Sequence, residues 1–177
     1  KFKTQFACEV KNFNPNEHFD RKEVRKMDLY TQYAIVAAKE AIEDSAMDLE
    51  KVDKNKIGVI FGVGIGGIRT FEEEMIAYAG IKDTIGPKFN PFFIPKMIAD
   101  IASGHISIMY GFHGPNFTTT SACASSSNAI ADAFNYIRLG KANVIVAGGA
   151  EAAICASGVG GFNAMHALST RNDDPTR

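Results

Sequence analysis

Cys123 stands in a segment whose residue types and order suit nucleophilic chemistry. The surrounding residues 118–128 read TTTSACASSSN, almost entirely hydroxyl and small side chains. The threonines predict a strand, and the small residues after them predict a helix that begins near Cys123. Free N–H groups and the dipole at a helix start favour negative charge, and the thiolate is the reactive form of cysteine. The small neighbours also leave room for a bulky group to approach the sulfur.

A lone cysteine is more commonly a structural residue, and the local sequence leaves this alternative open for Cys123. A neighbouring general base would favour the catalytic interpretation. No histidine can be paired with Cys123 from spacing, because each could equally be a surface, capping or core residue. The four histidines are His18, His105, His113 and His166.

Alternating helical and strand patterns predict the elements that position this segment. Asp20 is a candidate helix cap, and small and apolar residues recur at helical spacing over residues 27–46. Two apolar runs, 57–61 and 143–147, predict buried strands. The remaining predictions are a helix over 68–79, a helix ending near Tyr110, a strand over 116–120 and a helix over 123–139. Strands that alternate with helices predict an α/β fold with a largely parallel sheet.

The composition of the 177 residues is typical of a soluble globular domain, with 46% hydrophobic and 22% charged residues. The formal net charge of -1 provides no global field that would attract nucleic acid or a membrane surface, so neither is expected as a partner. No apolar run reaches the length of about 18 residues that a spanning helix requires.

The three cysteines are an odd number without short spacing, which argues against a disulfide framework and against a zinc site. They indicate a reducing compartment, and we expect a cytoplasmic protein. The first ten residues contain neither a starting methionine nor the apolar core of a signal peptide, so the chain is expected to begin inside a domain.

A glycine-rich turn after the first predicted strand offers a different function. Gly62, Gly64 and Gly67 fit the spacing of a dinucleotide-binding fingerprint, which would indicate an oxidoreductase that binds NAD. Ribose recognition also requires a strand that ends in an acidic residue about twenty residues further on, and no such strand is predicted. The fingerprint is therefore a remote alternative.

Short motifs along essentially the whole chain resemble, in the same order, those of the β-ketoacyl-acyl-carrier-protein synthases. TSACAS at residues 120–125 resembles the nucleophile motif of that family. The other motifs are RKMD (25–28), GIGG (64–67), PFFIP (91–95), GH (104–105) leading into IMYG (108–111), GPN (114–116), AGGAE (147–151), GVGGF (158–162) and ALSTRND (167–173). The last of these resembles the elongating type II members more than type I.

The resemblance implies the thiolase fold, in which two similar α/β halves each contain a mixed five-stranded sheet flanked by helices, with a buried helix behind the cysteine. Residues 1–177 are expected to match most of the first half, without its opening strand. The family's two catalytic histidines, its lysine and its glycine-rich loop with a gating phenylalanine belong to the second half, and their motifs do not occur here. We therefore expect that this chain alone does not catalyse condensation.

The activity implied by the resemblance is carbon–carbon bond formation in fatty acid elongation, without a metal or cofactor. Cys123 would take an acyl group from acyl-carrier protein as a thioester, and decarboxylated malonyl-acyl-carrier protein would then attack it. The backbone N–H of Cys123 would form the local half of the oxyanion hole. A polyketide ketosynthase or another thiolase-like acyltransferase would use the same cysteine. A non-catalytic partner that keeps the fold is less consistent with a cysteine at position 123.

The resemblance also assigns binding residues. Ile65 and Phe162 would line the acyl tunnel, and Phe93 would reach into the tunnel of a partner subunit. Without the resemblance, the apolar character of these three residues would indicate plain core packing. Lys22, Arg25 and Lys26 resemble the patch that docks the acidic carrier protein, the alternative being a solvated charged turn. Two positions that are often basic in the family are Pro87 and His166 here. The family forms homodimers, and we expect pairing through the strand before Cys123.

Overall fold

A computed structural model describes residues 1–83, 86 and 88–176 of the chain, which form a parallel sheet with helices on both faces. The elements are α1 (Arg21–Val24), α2 (Leu29–Asp44), β1 (Ile57–Gly62), α3 (Ile68–Ile81), α4 (Phe93–Met97), α5 (Ile101–Tyr110), β2 (Asn116–Thr119), α6 (Ser125–Arg138), β3 (Val144–Gly149) and α7 (Ala156–Ala164). Within the described residues, none of the helices combines the length and apolar character needed to cross a bilayer.

The sheet has β1 at its centre, paired in parallel with β2 on one side and with β3 on the other. In this register Ile60 lies opposite Phe117 of β2 and Ala147 of β3. All six residues of β1 are buried, as expected for a parallel strand covered on both faces. The predicted α/β class with a parallel sheet is confirmed, although the described residues contribute three strands rather than the family's five.

The first residues of the chain run beside the sheet without joining it. The amide N–H of Thr4 donates to the Asn163 side chain over 3.1 Å, and that of Gln5 donates to the Asn172 side chain over 2.8 Å. The Thr4 hydroxyl donates to the Ser169 carbonyl. Because these amides bond to side chains rather than to a strand backbone, the segment adds no strand to the sheet.

Successive residues of β1 supply the cores on its two faces. Val59 and Phe61 belong to the larger cluster, which includes residues of α2 and α5, whereas Ile60 packs with Ala129 and Ala133 of α6. This division follows from the alternation of side chains along a strand. The fully buried contacts from α6 are alanines, and their small size allows the helix to lie close to the sheet.

The structure departs from the prediction at one predicted helix and at one helix that was not predicted. The helix predicted to end near Tyr110 is in fact two helices, because Ile98 between them has an extended backbone and its carbonyl accepts the Tyr30 hydroxyl at 2.6 Å. Helix α7 was not predicted, because three glycines in nine residues contradict helix propensity. One of them, Gly158, packs so closely on the Ala153 carbonyl that a Cβ there would collide with it.

Glycines at the ends of β1 and β3 allow the start of α6 to lie directly on the sheet. A Cβ on Gly62 would collide with the backbone of Ser125 and Ser126. A Cβ on Gly149 would collide with the Ser126 hydroxyl and lie 2.7 Å from the Gly62 carbonyl oxygen. These close approaches fix the position of the first turn of α6, and with it the position of the turn that contains Cys123.

Substituting Gly62 with alanine is therefore expected to lower the free energy of unfolding by about 2–3 kcal/mol, since overpacking against rigid backbone is costly. Gly104→Ala is the matched control, because Gly104 lies inside α5 and its Cβ would meet no atom within 4 Å. Alanine is the better helix former, so the control should gain up to about 1 kcal/mol. Urea denaturation followed by circular dichroism measures both, and a Gly62→Ala variant as stable as the control would contradict the close approach.

Candidate active site

Cys123 lies exposed in a 3-10 turn, Ala122–Ala124, between the end of β2 and the start of α6. The predicted helix over 123–139 therefore begins two residues later than expected, at Ser125. Cys123 lies instead within the 3-10 turn, which starts at the left-handed Ala122 with a φ of 50°, and α6 starts only after Ala124, whose φ of -92° and ψ of 0° are not α-helical. The first hydrogen bond of the turn is donated by Ala124 to the Ser121 carbonyl over 3.1 Å, so the amide of Cys123 precedes it.

The buried Ser125 hydroxyl holds this turn together. It donates to the Ala122 carbonyl over 2.7 Å and accepts from the Ser121 amide over 2.9 Å. The Thr119 hydroxyl donates to the Ser125 carbonyl, and the Asn128 side chain donates to the Ser121 hydroxyl. A non-glycine residue at positive φ is costly, and such contacts compensate for that cost. The sequence analysis did not predict the role of Ser125, although the run of hydroxyl residues around Cys123 indicated that such hydrogen bonds could form.

Beside Cys123 is a cavity of about 500 Å³ with small and apolar walls. The structure brings together in it three residues that the sequence analysis singled out, Cys123, Ile65 and Phe162. Ile65 comes from the turn after β1, and Phe162 comes from α7. The other lining residues are Gly62, Gly64, Ala122, Ser125, Ser126, Gly149, Ala150, Glu151 and Ala153. In the described part of the chain no histidine lines this cavity, so the structure supplies no imidazole base for Cys123 here.

Glu151 is a cavity residue that sequence reasoning did not identify. Its carboxylate accepts the backbone N–H of Ile65 over 2.7 Å and that of Gly66 over 3.1 Å. The next amide, of Gly67, donates to the Met97 carbonyl over 3.0 Å. The amides that a dinucleotide phosphate would need are thus already bonded, and the carboxylate would repel its charge. This arrangement argues against the NAD-binding alternative.

Phe93 lies outside the cavity. It is on α4, where its ring stacks on Phe89 at 5.4 Å and on Phe71 at 6.3 Å between centroids. Within this chain it therefore packs in an aromatic cluster, and its role toward a partner subunit stays a prediction.

Lys22, Arg25 and Lys26 are all exposed on α1 and the turn that follows it. The side chain of Asp20 caps α1, as predicted, by accepting the amides of Lys22 and Glu23. These hydrogen bonds, with smaller contributions from nearby lysines, lower the pKa of Asp20. The Lys26 ammonium lies 5.9 Å from the centroid of the Phe92 ring. His166 is exposed, and Pro87 lies outside the described residues.

The histidines lie outside the cavity, in surroundings that suggest no catalytic role. His105, on α5, is partly buried, and burial lowers its pKa. The His18 ring stacks on Phe13 with 5.4 Å between centroids. With His113 and His166 exposed, the four histidines fit the surface and core alternatives that the sequence left open, and the candidate site centres on a thiol and its cavity.

Comparison with known proteins places the chain in a family. The family described as "Beta-ketoacyl synthase, N-terminal domain" matches residues 1–177. The 3-oxoacyl-[acyl-carrier-protein] synthase 2 of Staphylococcus aureus is 44% identical over 175 residues, which are 99% of this chain and 43% of that protein. The protein of the same name from Synechocystis sp. is 41% identical over 171 residues, which are 97% of this chain and 40% of that protein. The chain thus spans less than half the length of these curated relatives.

The fold agrees with the sequence match. A solved β-ketoacyl synthase from Burkholderia phymatum superposes with a TM-score of 0.83 at 27% identity, over 99% of this chain and 42% of that one. The thiolase-like fold that the motifs implied is therefore confirmed. Because the family match covers every residue, the chain belongs to the β-ketoacyl synthase family and matches its amino-terminal domain.

Proposed function

We propose that this protein is the amino-terminal part of an elongating β-ketoacyl-acyl-carrier-protein synthase in which Cys123 accepts the acyl group. The observation that carries the proposal is the exposed thiol of Cys123 at the edge of a cavity that Ile65 and Phe162 also line. A nucleophile needs access to its substrate, and a fatty acyl chain needs an apolar space beside it. The names of the Staphylococcus aureus and Synechocystis relatives support the same reaction.

In the first half-reaction the Cys123 thiolate attacks the carbonyl carbon of an acyl thioester. The bond from that carbon to the sulfur of the carrier breaks, and the carrier leaves as a thiolate, which then takes a proton from water. Negative charge develops on the thioester oxygen, and fixed N–H donors stabilise it. The Cys123 amide is suited to this role, because it precedes the first hydrogen bond of its turn.

In the second half-reaction malonyl-acyl-carrier protein loses carbon dioxide, and the resulting carbanion attacks the acyl carbon on Cys123. The carbon–sulfur bond breaks, the cysteine returns as a thiolate and the product is a 3-ketoacyl thioester. We assign the decarboxylation to none of residues 1–177. The proposal is that the catalytic histidines and lysine belong to the second half of the fold, so that this chain alone captures acyl groups but does not condense them.

The basic residues Lys22, Arg25 and Lys26 are proposed to dock the acidic carrier protein. In the described part of the chain none of them forms a salt bridge with an acidic side chain. Their charges are therefore available to an incoming partner, and complementary charge accelerates association.

Strand β2 is proposed to pair with the same strand of a second copy. It lies at one edge of the three-stranded sheet, so one side of its backbone has no strand partner among the described residues. An edge of this kind favours addition of another strand. Phe93 is proposed to contribute to the partner's tunnel. A cytoplasmic location is supported by the three free cysteines.

Cys123 is expected to react with N-octyl iodoacetamide at least about tenfold faster than Cys8, because an activated thiol is the better nucleophile and the octyl chain gains burial in the cavity. Cys8 is the matched comparison, since it is also exposed. Peptide mass mapping over a time course gives both rates. Modification of Cys8 or Cys155 with Cys123 left unmodified would contradict the enzymatic proposal.

The charge reversal Arg25→Glu is expected to weaken binding of an acyl-carrier protein by about five- to tenfold, mainly by slowing association at low salt. Lys51→Glu is the control, because Lys51 is an exposed lysine outside the patch, in the turn between α2 and β1, where it pairs with Asp48 at 2.7 Å. Surface plasmon resonance at two ionic strengths measures carrier-protein binding by both variants and separates the salt-dependent loss of binding from any other loss. Equal losses in both variants would mean that net charge, rather than this patch, recruits the carrier.

The pairing of β2 predicts dimers in solution. Sedimentation velocity over a concentration series should show a shift from monomer toward dimer, with amide exchange of residues 116–119 slowed at the higher concentrations. Sedimentation as a dimer with unchanged exchange in β2 would place the interface elsewhere.

A further inference from the structure

Two glutamates that are not themselves the nucleophile accept hydrogen bonds from the backbone of the segments that contain Ile65 and Phe162. These two residues are the large apolar side chains in the wall of the cavity. We propose that Glu151 and Glu72 are positioning residues that fix Ile65 and Phe162 beside Cys123 and thereby set the acyl lengths that the cavity accepts. This inference rests on the proposed role of Cys123 as the acyl acceptor.

Glu151 holds the wall that Ile65 forms. The turn of residues 63–67 follows β1, and Glu151 follows the neighbouring strand β3, so both lie at the same edge of the sheet. Each carboxylate oxygen accepts one backbone N–H, Oε2 from Ile65 and Oε1 from Gly66. Hydrogen bonds to an ionised acceptor are stronger than neutral ones, so this pair restrains the turn firmly.

The turn depends on the hydrogen bonds to Glu151 because the Ile65 side chain contributes little packing. Ile65 is 43% exposed, so apolar contacts alone do not fix its orientation. Glycine at position 64 lets the backbone pass close to the carboxylate, since a Cβ there would lie 2.9 Å from Oε2 of Glu151. The position of the Ile65 wall therefore follows the position of the Glu151 side chain.

Glu72 holds the wall that Phe162 forms, through the start of α7. Its Oε2 accepts the backbone N–H of Ser157 in a very short contact. The Ser157 hydroxyl and amide also hold the pKa of Glu72 below its usual range, so the side chain is ionised at neutral pH. The N-cap residue of α7, Cys155, makes no capping bond from its own side chain. Glu72, on α3, therefore caps α7 from outside, and the axis of that helix sets where Phe162 points.

Glutamine substitutions test the proposal with almost no change in volume. In Glu151→Gln one acceptor becomes an NH₂ group that faces an amide donor, so one of the two bonds is lost. Glu72→Gln removes the charge at the start of α7. Glu73→Gln is the matched control, because Glu73 is the next residue of α3 and bonds only to Arg69 among the described residues.

The measurement is the ratio of two rate constants at Cys123, for N-octyl iodoacetamide and for plain iodoacetamide. We expect each of the two variants to lower this ratio by about three- to tenfold, with the rate for the short reagent changed by less than about twofold, because only the long chain contacts the walls. The control should keep the wild-type ratio. A generally destabilised protein would instead change both rates together.

Hydrogen–deuterium exchange resolved to single amides is the second measurement. Exchange at whichever of Ile65 and Gly66 faces the new NH₂ group should accelerate about tenfold or more in Glu151→Gln, and exchange at Ser157 should do so in Glu72→Gln. Should Glu151→Gln fold poorly, Glu151→Asp gives the same test, because its carboxylate is one methylene too short to reach both amides.

Unchanged ratios and unchanged exchange in both variants would overturn the inference while leaving Cys123 as the acyl acceptor. A wild-type protein that shows no preference for the octyl reagent at Cys123 would instead contradict the proposed acyl cavity. In that case faster exchange at Ile65, Gly66 or Ser157 would show that the carboxylates position backbone but not a substrate pocket, which also overturns their role in length selection.

Discussion

The contact between the first turn of α6 and the glycine ends of β1 and β3 is the constraint on which the site depends. Gly62 and Gly149 have no side chains, so the backbone of Ser125 and the side chain of Ser126 can approach the strands closely. A Cβ at either position would collide with the first residues of α6. Because Cys123 lies in the turn immediately before α6, the position of its sulfur is set by this backbone contact rather than by packing of its own side chain.

The parallel sheet brings the components of the site together because its strand ends meet at one edge. The chain leaving β1 carries Ile65, the chain leaving β2 carries Cys123 and the chain leaving β3 carries Glu151. Ligand sites in open parallel sheets form at the carboxyl ends of strands for the same geometric reason. Phe162 comes from α7, and the contact of Ser157 with Glu72 links that helix to α3, which itself follows β1.

Sequence reasoning identified those features that are encoded locally. The apolar runs of β1 and β3 predicted buried strands, and the strand-to-helix transition predicted an accessible Cys123. Ile65 and Phe162 entered through the family resemblance alone, since apolar residues by themselves indicate only packing. The break at Ile98 and the Glu151 contact escaped prediction because the groups that cause them are distant in sequence. Helix α7 escaped prediction for a local reason, since its three glycines contradict helix propensity. Glu151 and Ile65 are 86 positions apart, and no periodicity relates them.

The glycine-rich turn after β1 shows how a distant partner decides the meaning of a local motif. Its glycine spacing is compatible with a turn that presents amides to a phosphate. Here the carboxylate of Glu151 occupies two of those amides and the Met97 carbonyl occupies a third. A second anion at the same amides would be repelled by the carboxylate and would have to displace both hydrogen bonds. The same backbone geometry that could bind a nucleotide therefore supports an apolar wall, because the protein supplies its own anion.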